Sequence, residues 1–152
     1  MSYSHNDFLY LGRANVWYNE NRERLYERFI NWTAFISLMF SSAAFVAMGP
    51  LFPDAWQPAK DAVLAIIALV VTGLNGAMLA FGMFGKYILH ANLKREWIQF
   101  LALLQVTKAD NLDAIAQRFE EINGREPAVD PKIWDQAQDK TREALGWVQP
   151  SA

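Results

Sequence analysis

The chain has no cysteine among its 152 residues and only two histidines, His5 and His90. The first absence excludes a disulfide framework, a thiolate nucleophile and any cysteine-based zinc or iron–sulfur centre. The second leaves no pair of imidazoles at a ligand spacing on one helix face, so no metal site is expected. No Gly-rich phosphate loop, serine elbow or Ser/Lys dyad occurs. No two carboxylates are singled out for acid–base work either, so neither an enzymatic activity nor a cofactor is expected. Positive charge is not in surplus: 14 Lys and Arg stand against 16 Asp and Glu, a net charge of −2. Nucleic-acid binding, which needs a basic face, is set aside.

Charge of either sign is missing from two long stretches. Phe29 to Pro53 is a run of 25 uncharged residues, and Ala62 to Gly85 a run of 24. The mean hydropathy of 0.00 conceals this segregation. A helix needs about 20 apolar residues to cross a hydrocarbon core of about 30 Å. Two transmembrane helices are therefore expected, over 29–49 and 62–85. Buried helices of a soluble bundle keep a polar stripe, and Ala62 to Val71 has none. No basic start with a short apolar core and a small-residue cleavage site precedes them, so no signal peptide is expected.

Between the runs, Pro50, Pro53 and Pro58 deny a helix its hydrogen bonds and Trp56 suits the lipid–water boundary, so 50–61 reads as an extracytoplasmic hairpin turn. Lys60 is its one basic residue, whereas Arg22, Arg24 and Arg28 precede the first span and Lys86, Lys94 and Arg95 follow the second. The positive-inside bias then places both termini in the cytoplasm.

Residues 1–28 read as a cytoplasmic amphipathic helix, with Leu11, Ala14, Tyr18, Leu25 and Phe29 recurring at helical spacings. Residues 86–152 read as a helical stalk and C-terminal helices. Leu89, Leu93, Trp97, Phe100, Leu101 and Leu104 form one stripe, and Leu112, Ile115, Ala116, Phe119 and Ile122 another. Asp110 is the expected cap of this second helix, and Asn123-Gly124 its left-handed stop. Asp130 with Pro131 opens a last helix, carrying Ile133, Ala137 and Ala144 or Leu145 inward, and Gly146 ends it. The fold class is thus an all-α membrane protein built on a two-helix hairpin.

Small residues recur along the spans: Gly73, Gly76, Ala77, Ala80, Gly82 and Gly85 on the second, and Ser37, Ser41 and Ser42 on the first. Such faces let helix backbones approach closely, either within one hairpin or between copies. A homo-oligomer within the lipid bilayer is one expectation and intrachain packing the other. Asn75 lies near the middle of the second span, where an unpaired amide is costly, so it needs a partner such as a Ser or Thr across the hairpin, its own backbone or a polar path. Thr72 is one turn away. Trp97, Trp134 and Trp147 are candidate aromatic anchors for a docking partner. His90 reads as an interfacial or stalk histidine, with proton sensing as the sharper alternative.

The arrangement resembles the SLATT family of bacterial two-transmembrane effector domains and related membrane proteins of prophages and mobile elements. The resemblance rests on the order of four features: the arginine- and aromatic-containing helix from Arg13 to Arg28, the tight hairpin, the segment His90-Ala91-Asn92-Leu93-Lys94-Arg95, and Glu126-Pro127 followed by a short helix. It implies a multi-pass protein of the bacterial cytoplasmic membrane that forms pores on a trigger from a cytoplasmic sensor or signalling protein. Many members carry a fused sensor domain, which this sequence does not show. Two rival expectations share the hairpin: a holin-like or superinfection-exclusion protein, and an accessory membrane anchor of a larger complex.

Overall fold

The structure, a computed structural model, describes residues 3–41, 57–107 and 112–147. Among these residues there are five α-helices and no strand: α1 (His5–Ser41), α2 (Gln57–Ala80), α3 (Met83–Val106), α4 (Leu112–Asn123) and α5 (Pro131–Ala144). The expected end of the first span over 42–49, turn residues 50–56 and the expected cap Asp110 lie outside the described residues. The chain divides into two compact units, one of residues 1–24 with 87–152 and one of residues 25–86.

The first unit is a helical module with one core. Phe8 of α1, Leu93, Trp97, Phe100 and Leu104 of α3, and Ile115, Phe119 and Ile122 of α4 form its buried cluster. Each such side chain contributes about 1.5–3 kcal/mol by leaving water. Phe119 sits at the aromatic centre, with ring centroids 5.4 Å from Phe8, 5.3 Å from Trp97 and 5.9 Å from Phe100. The spacing of these residues, three or four apart on each helix, puts them on one face. Leu89 is more than a third exposed and falls outside the buried part of the stripe.

Local chemistry sets the helix ends. Ser4 and Asp7 bracket the start of α1: the Asp7 amide donates to Ser4 Oγ at 3.2 Å, and Asp7 Oδ2 accepts from the Ser4 amide at 2.8 Å. This is a capping box with an aspartate in the third position. The Ser4 backbone bond holds the Asp7 carboxyl below its usual range. At α5, Asp130 Oδ1 accepts from the amides of Lys132 (3.1 Å) and Ile133 (3.4 Å), and Pro131 supplies the first-turn proline. The C-terminus of α5 closes as a Schellman motif: Gly146 N–H reaches Glu143 O at 3.1 Å, Trp147 N–H reaches Arg142 O at 2.8 Å, and Gly146 adopts φ 70°.

Two expected boundaries are corrected. α2 already begins at Gln57, so residues 57–61 belong to a helix and not to the turn; Pro58 fits there because the first turn has no intrahelical N–H bond to lose. The second run does not stay one helix to Gly85. It breaks at Phe81 and Gly82, where Gly82 takes φ 56° and its N–H turns to Leu79 O at 3.1 Å. A left-handed residue cannot continue the right-handed helix, and only glycine adopts it without a Cβ penalty. A third expectation fails at Gly124, which ends α4 without a positive φ.

In the second unit α2 carries a 19-residue stretch, Ala62–Ala80, of mean hydropathy 2.3, of which 6% is buried. It is the one helix among the described residues that is long and apolar enough to cross a membrane. Its side chains lie open: Ile66, Leu69 and Leu79 are 61%, 74% and 79% exposed. The later part of α1 is similarly open at Trp32, Phe35 and Leu38, while Thr33 and Tyr26 are buried.

Candidate functional site

Two polar constellations stand out, one in each unit. In the second unit Asn75 Nδ2 donates to Ser37 Oγ of α1 at 2.8 Å and to the Val71 carbonyl at 2.9 Å. Both amide hydrogens are thereby used, one across the helix pair and one back along α2. Thr72, Gly73, Gly76 and Ala80 lie exposed on α2. A Cβ added at Gly73 or Gly76 would meet nothing within 4 Å. Among the described residues these glycines therefore seat no neighbouring helix of the chain. Ser41 ends α1, and its side chain lies outside the described set.

The first unit holds a polar bridge, buried at Asn19 and His90 and half-buried at Glu126. Asn19 of α1 is fully buried; its Nδ2 donates to the Asn15 carbonyl at 3.0 Å and to Glu126 Oε1 at 2.9 Å. The same Glu126 oxygen accepts from Trp97 Nε1 at 2.6 Å. Asn19 Oδ1 lies 2.7 Å from His90 Nδ1. Because both Asn19 amide hydrogens are committed, Oδ1 must accept, and the neutral His90 carries its proton on Nδ1. Asn19 thus bridges an imidazole on α3 and a carboxyl group on the connector between α4 and α5.

Burial shifts the titration of both ends in opposite directions. His90 is 2% exposed, and desolvation, reinforced by the nearby Arg22 guanidinium, pulls its pKa down from 6.5 to about 4. Burial pushes the Glu126 carboxyl up from its usual value, against the opposing pull of the Trp97 and Asn19 bonds. Ion pairs surround the bridge. Arg22 lies 3.6 Å from Asp130, Lys94 pairs with Glu23, and Arg118 and Arg125 share Glu96. Tyr18 completes the cage: its ring packs edge-on against His90 and Trp134, and its hydroxyl accepts from the Asp130 amide at 3.1 Å.

The aromatic anchors are redistributed by this geometry. Trp97 is wholly buried, so it cannot serve as a docking anchor; its indole instead joins the core to the bridge. Trp134 is half-buried against Tyr18, and Trp147 is exposed but stacked on Tyr10 at 5.7 Å. Leu25, placed inward by the sequence pattern, is 51% exposed.

Asn19, Asn15 and Gly12 were not legible as site residues from their types alone. A signal does exist, since Asn15, Asn19 and Arg22 fall at spacings of four and three beside Ala14 and Tyr18, polar groups on a helix face that must be inward. Gly12 is where close packing occurs: a Cβ there would lie 2.8 Å from Leu101 Cδ2 and 3.3 Å from Phe100 Cδ1.

A surface groove of about 400 Å³ is lined by Trp17, Asn21, Gln136, Asp139, Lys140 and Glu143. Its charged groups are engaged locally, Lys140 with Glu143 at 3.0 Å and Asp139 with Arg142 at 3.3 Å. Among the described residues no group of three or more acidic or histidine side chains is placed to hold a metal ion. Comparison with protein families, curated proteins and solved structures finds no match to this chain.

Proposed function

We propose that this chain is a two-pass membrane effector, in which α1 from Phe29 onward and α2 lie in lipid as a hairpin and the first unit is a cytoplasmic control module. The observation that carries this reading is the open apolar surface of Ala62–Ala80, the reverse of what a soluble core helix of that composition presents. The Asn75–Ser37 bond supports the hairpin, because an amide at that depth requires a partner. The unfilled space over Gly73 and Gly76 supports association between copies over packing within one hairpin. The outcome of that association is a conducting path or a local perturbation of the bilayer, in keeping with the resemblance to the SLATT effectors.

Topology and activity are tested separately. Reporter fusions at residue 54 and at both ends should place the turn outside and the termini inside. Induced expression in bacteria loaded with a potential-sensitive dye should collapse the membrane potential, and Gly73→Leu with Gly76→Leu should abolish the collapse while leaving insertion intact. A chain that inserts yet leaves potential and growth unchanged, even alongside its neighbouring genes, would remove the effector reading. The anchor-subunit reading keeps Trp134 and Trp147 as surface aromatics but loses Trp97, which the core absorbs.

A further inference from the structure

The open face of α1 in the second unit changes character along its length in a fixed order. Arg28, Asn31, Trp32 and Phe35 stand at positions i, i+3, i+4 and i+7 of one helix, so they share a side of it. Arg28 is exposed, and among the described residues no carboxylate pairs with it. Its neighbour Glu27 is turned about 100° round the helix. The Asn31 amide and the Trp32 indole N–H likewise meet no acceptor among the described residues. Trp32 is 64% and Phe35 54% exposed, and their rings meet edge-on at 5.9 Å. Asn31, Trp32 and Phe35 line a cleft of about 270 Å³.

We propose that this face is a binding site for one anionic phospholipid of the cytoplasmic leaflet: the Arg28 guanidinium takes the phosphate, Asn31 and Trp32 donate to the ester oxygens, and an acyl chain lies in the cleft beside Trp32 and Phe35. The site rests on the membrane placement of α1 from Phe29 onward and not on pore formation. A helix rises about 1.5 Å per residue, so Trp32 lies about 6 Å and Phe35 about 10 Å beyond Arg28 along the axis. The headgroup layer on each side of the hydrocarbon core is about 5–8 Å deep. Arg28 therefore falls at the level of the phosphates, Asn31 and Trp32 at that of the esters, and Phe35 among the chains. A phospholipid presents the complementary chemistry in the same order.

Helix side chains lean towards the N-terminus, which carries the Asn31 amide and the Trp32 ring back towards Arg28 and gathers their donors on one headgroup. A guanidinium matches two phosphate oxygens at once and keeps its charge throughout the physiological pH range. A zwitterionic headgroup carries its own cation, which offsets the phosphate and competes with Arg28. An anionic headgroup leaves that charge to the arginine, and one cation at such a surface favours the anionic lipid by about fivefold. The cleft is smaller than the roughly 300–1,000 Å³ of a site that encloses a small molecule, so it seats a stretch of one chain along an open wall. Free glycerol phosphate meets only Arg28 and the two donors, and gains nothing from the rings of Trp32 and Phe35.

The test is lipid retention by the full chain in detergent, read by native mass spectrometry with equimolar phosphatidylglycerol and phosphatidylcholine of the same acyl chains. The wild type is expected to keep phosphatidylglycerol over phosphatidylcholine by about fivefold or more. Arg28→Gln should remove the preference and Arg28→Lys should keep part of it, while Lys132→Gln, which removes an exposed cation from the first unit, should leave it unchanged. Trp32→Ala should weaken retention of both lipids, and glycerol phosphate at equal concentration should displace neither. No headgroup preference in the wild type, equal losses from Arg28→Gln and Lys132→Gln, or displacement by glycerol phosphate would overturn the site. So would a lipid-free dimer that Trp32→Ala splits, since a second copy would then fill the cleft. If Arg28→Gln does not insert, the wild-type preference and the glycerol phosphate arm decide. A chain that stays dispersed in buffer without detergent removes the membrane reading itself, whereas an inserted chain without headgroup preference removes only this site.

Discussion

Gly12 offers the sharpest test of how α1 and α3 are seated in the first unit. Adding one Cβ there places it 2.8 Å from Leu101 Cδ2 and 3.3 Å from Phe100 Cδ1. Leu101 is only partly buried and its side-chain end can swing aside, whereas Phe100 is 1% exposed and fixed among other rings. For Gly12→Ala, relief of the Leu101 contact costs roughly 1 kcal/mol, and the better helix propensity of alanine returns about 0.8–1 kcal/mol. The net change should be within about 1 kcal/mol of zero. Gly12→Val adds two further carbons towards Phe100 and loses the propensity gain, so overpacking of about 2–3 kcal/mol is expected. Combining Gly12→Val with Leu101→Ala should recover at least about 1 kcal/mol relative to the sum of the single changes. Protection of α1 and α3 amides against hydrogen exchange in micelles measures each step. Strict additivity in this cycle, or a valine variant as protected as wild type, would show that the two helices do not meet at Gly12.

Further outcomes follow from the polar contacts. Glu126→Ala should lower the stability of the first unit by about 2–4 kcal/mol at neutral pH, because Trp97 Nε1 and one Asn19 hydrogen lose their acceptor, while Glu126→Gln, which keeps an acceptor, should cost less than half as much; denaturant titration followed by tryptophan emission distinguishes them. Asn75→Leu should weaken the α1–α2 pairing by about 0.5–1.5 kcal/mol, and Ser37→Ala by less, since Asn75 keeps its bond to Val71 O. Cysteine crosslinking between the two helices in membranes reports both, and equal effects of the two changes would contradict the geometry. Asp130→Ala should cost about 1 kcal/mol by uncapping α5, visible as faster exchange at Lys132 and Ile133.

Much of the first unit could be read from spacing. The α3 and α4 stripes through Leu93, Trp97, Phe100, Ile115 and Phe119 follow helical periodicity, and the Asp130-Pro131 start of α5 follows from cap chemistry. The break at Gly82 could not be read in that way, because Gly73, Gly76, Gly82 and Gly85 look alike in sequence and only one takes a positive φ. Close packing inside the first unit falls instead at Gly12, whose neighbours Phe100 and Leu101 are far along the chain. The polar bridge is illegible in the sequence for another reason. Glu126 is far from Asn19 and Trp97 along the chain, and tertiary contact alone makes its carboxyl group the meeting point of three elements.

Within the second unit the chain leaving α2 is interrupted at Gly82, whereas Gln57–Ala80 before it is unbroken helix. A helix advances by about 100° per residue, so its faces are locked in phase over their whole length. A residue inserted inside α2 ahead of Asn75 would rotate everything beyond it on that helix and carry Asn75 off the side that meets Ser37. An insertion beside Gly82 meets a point where the helical phase is already reset. Length changes should therefore be tolerated at the glycine and not within α2.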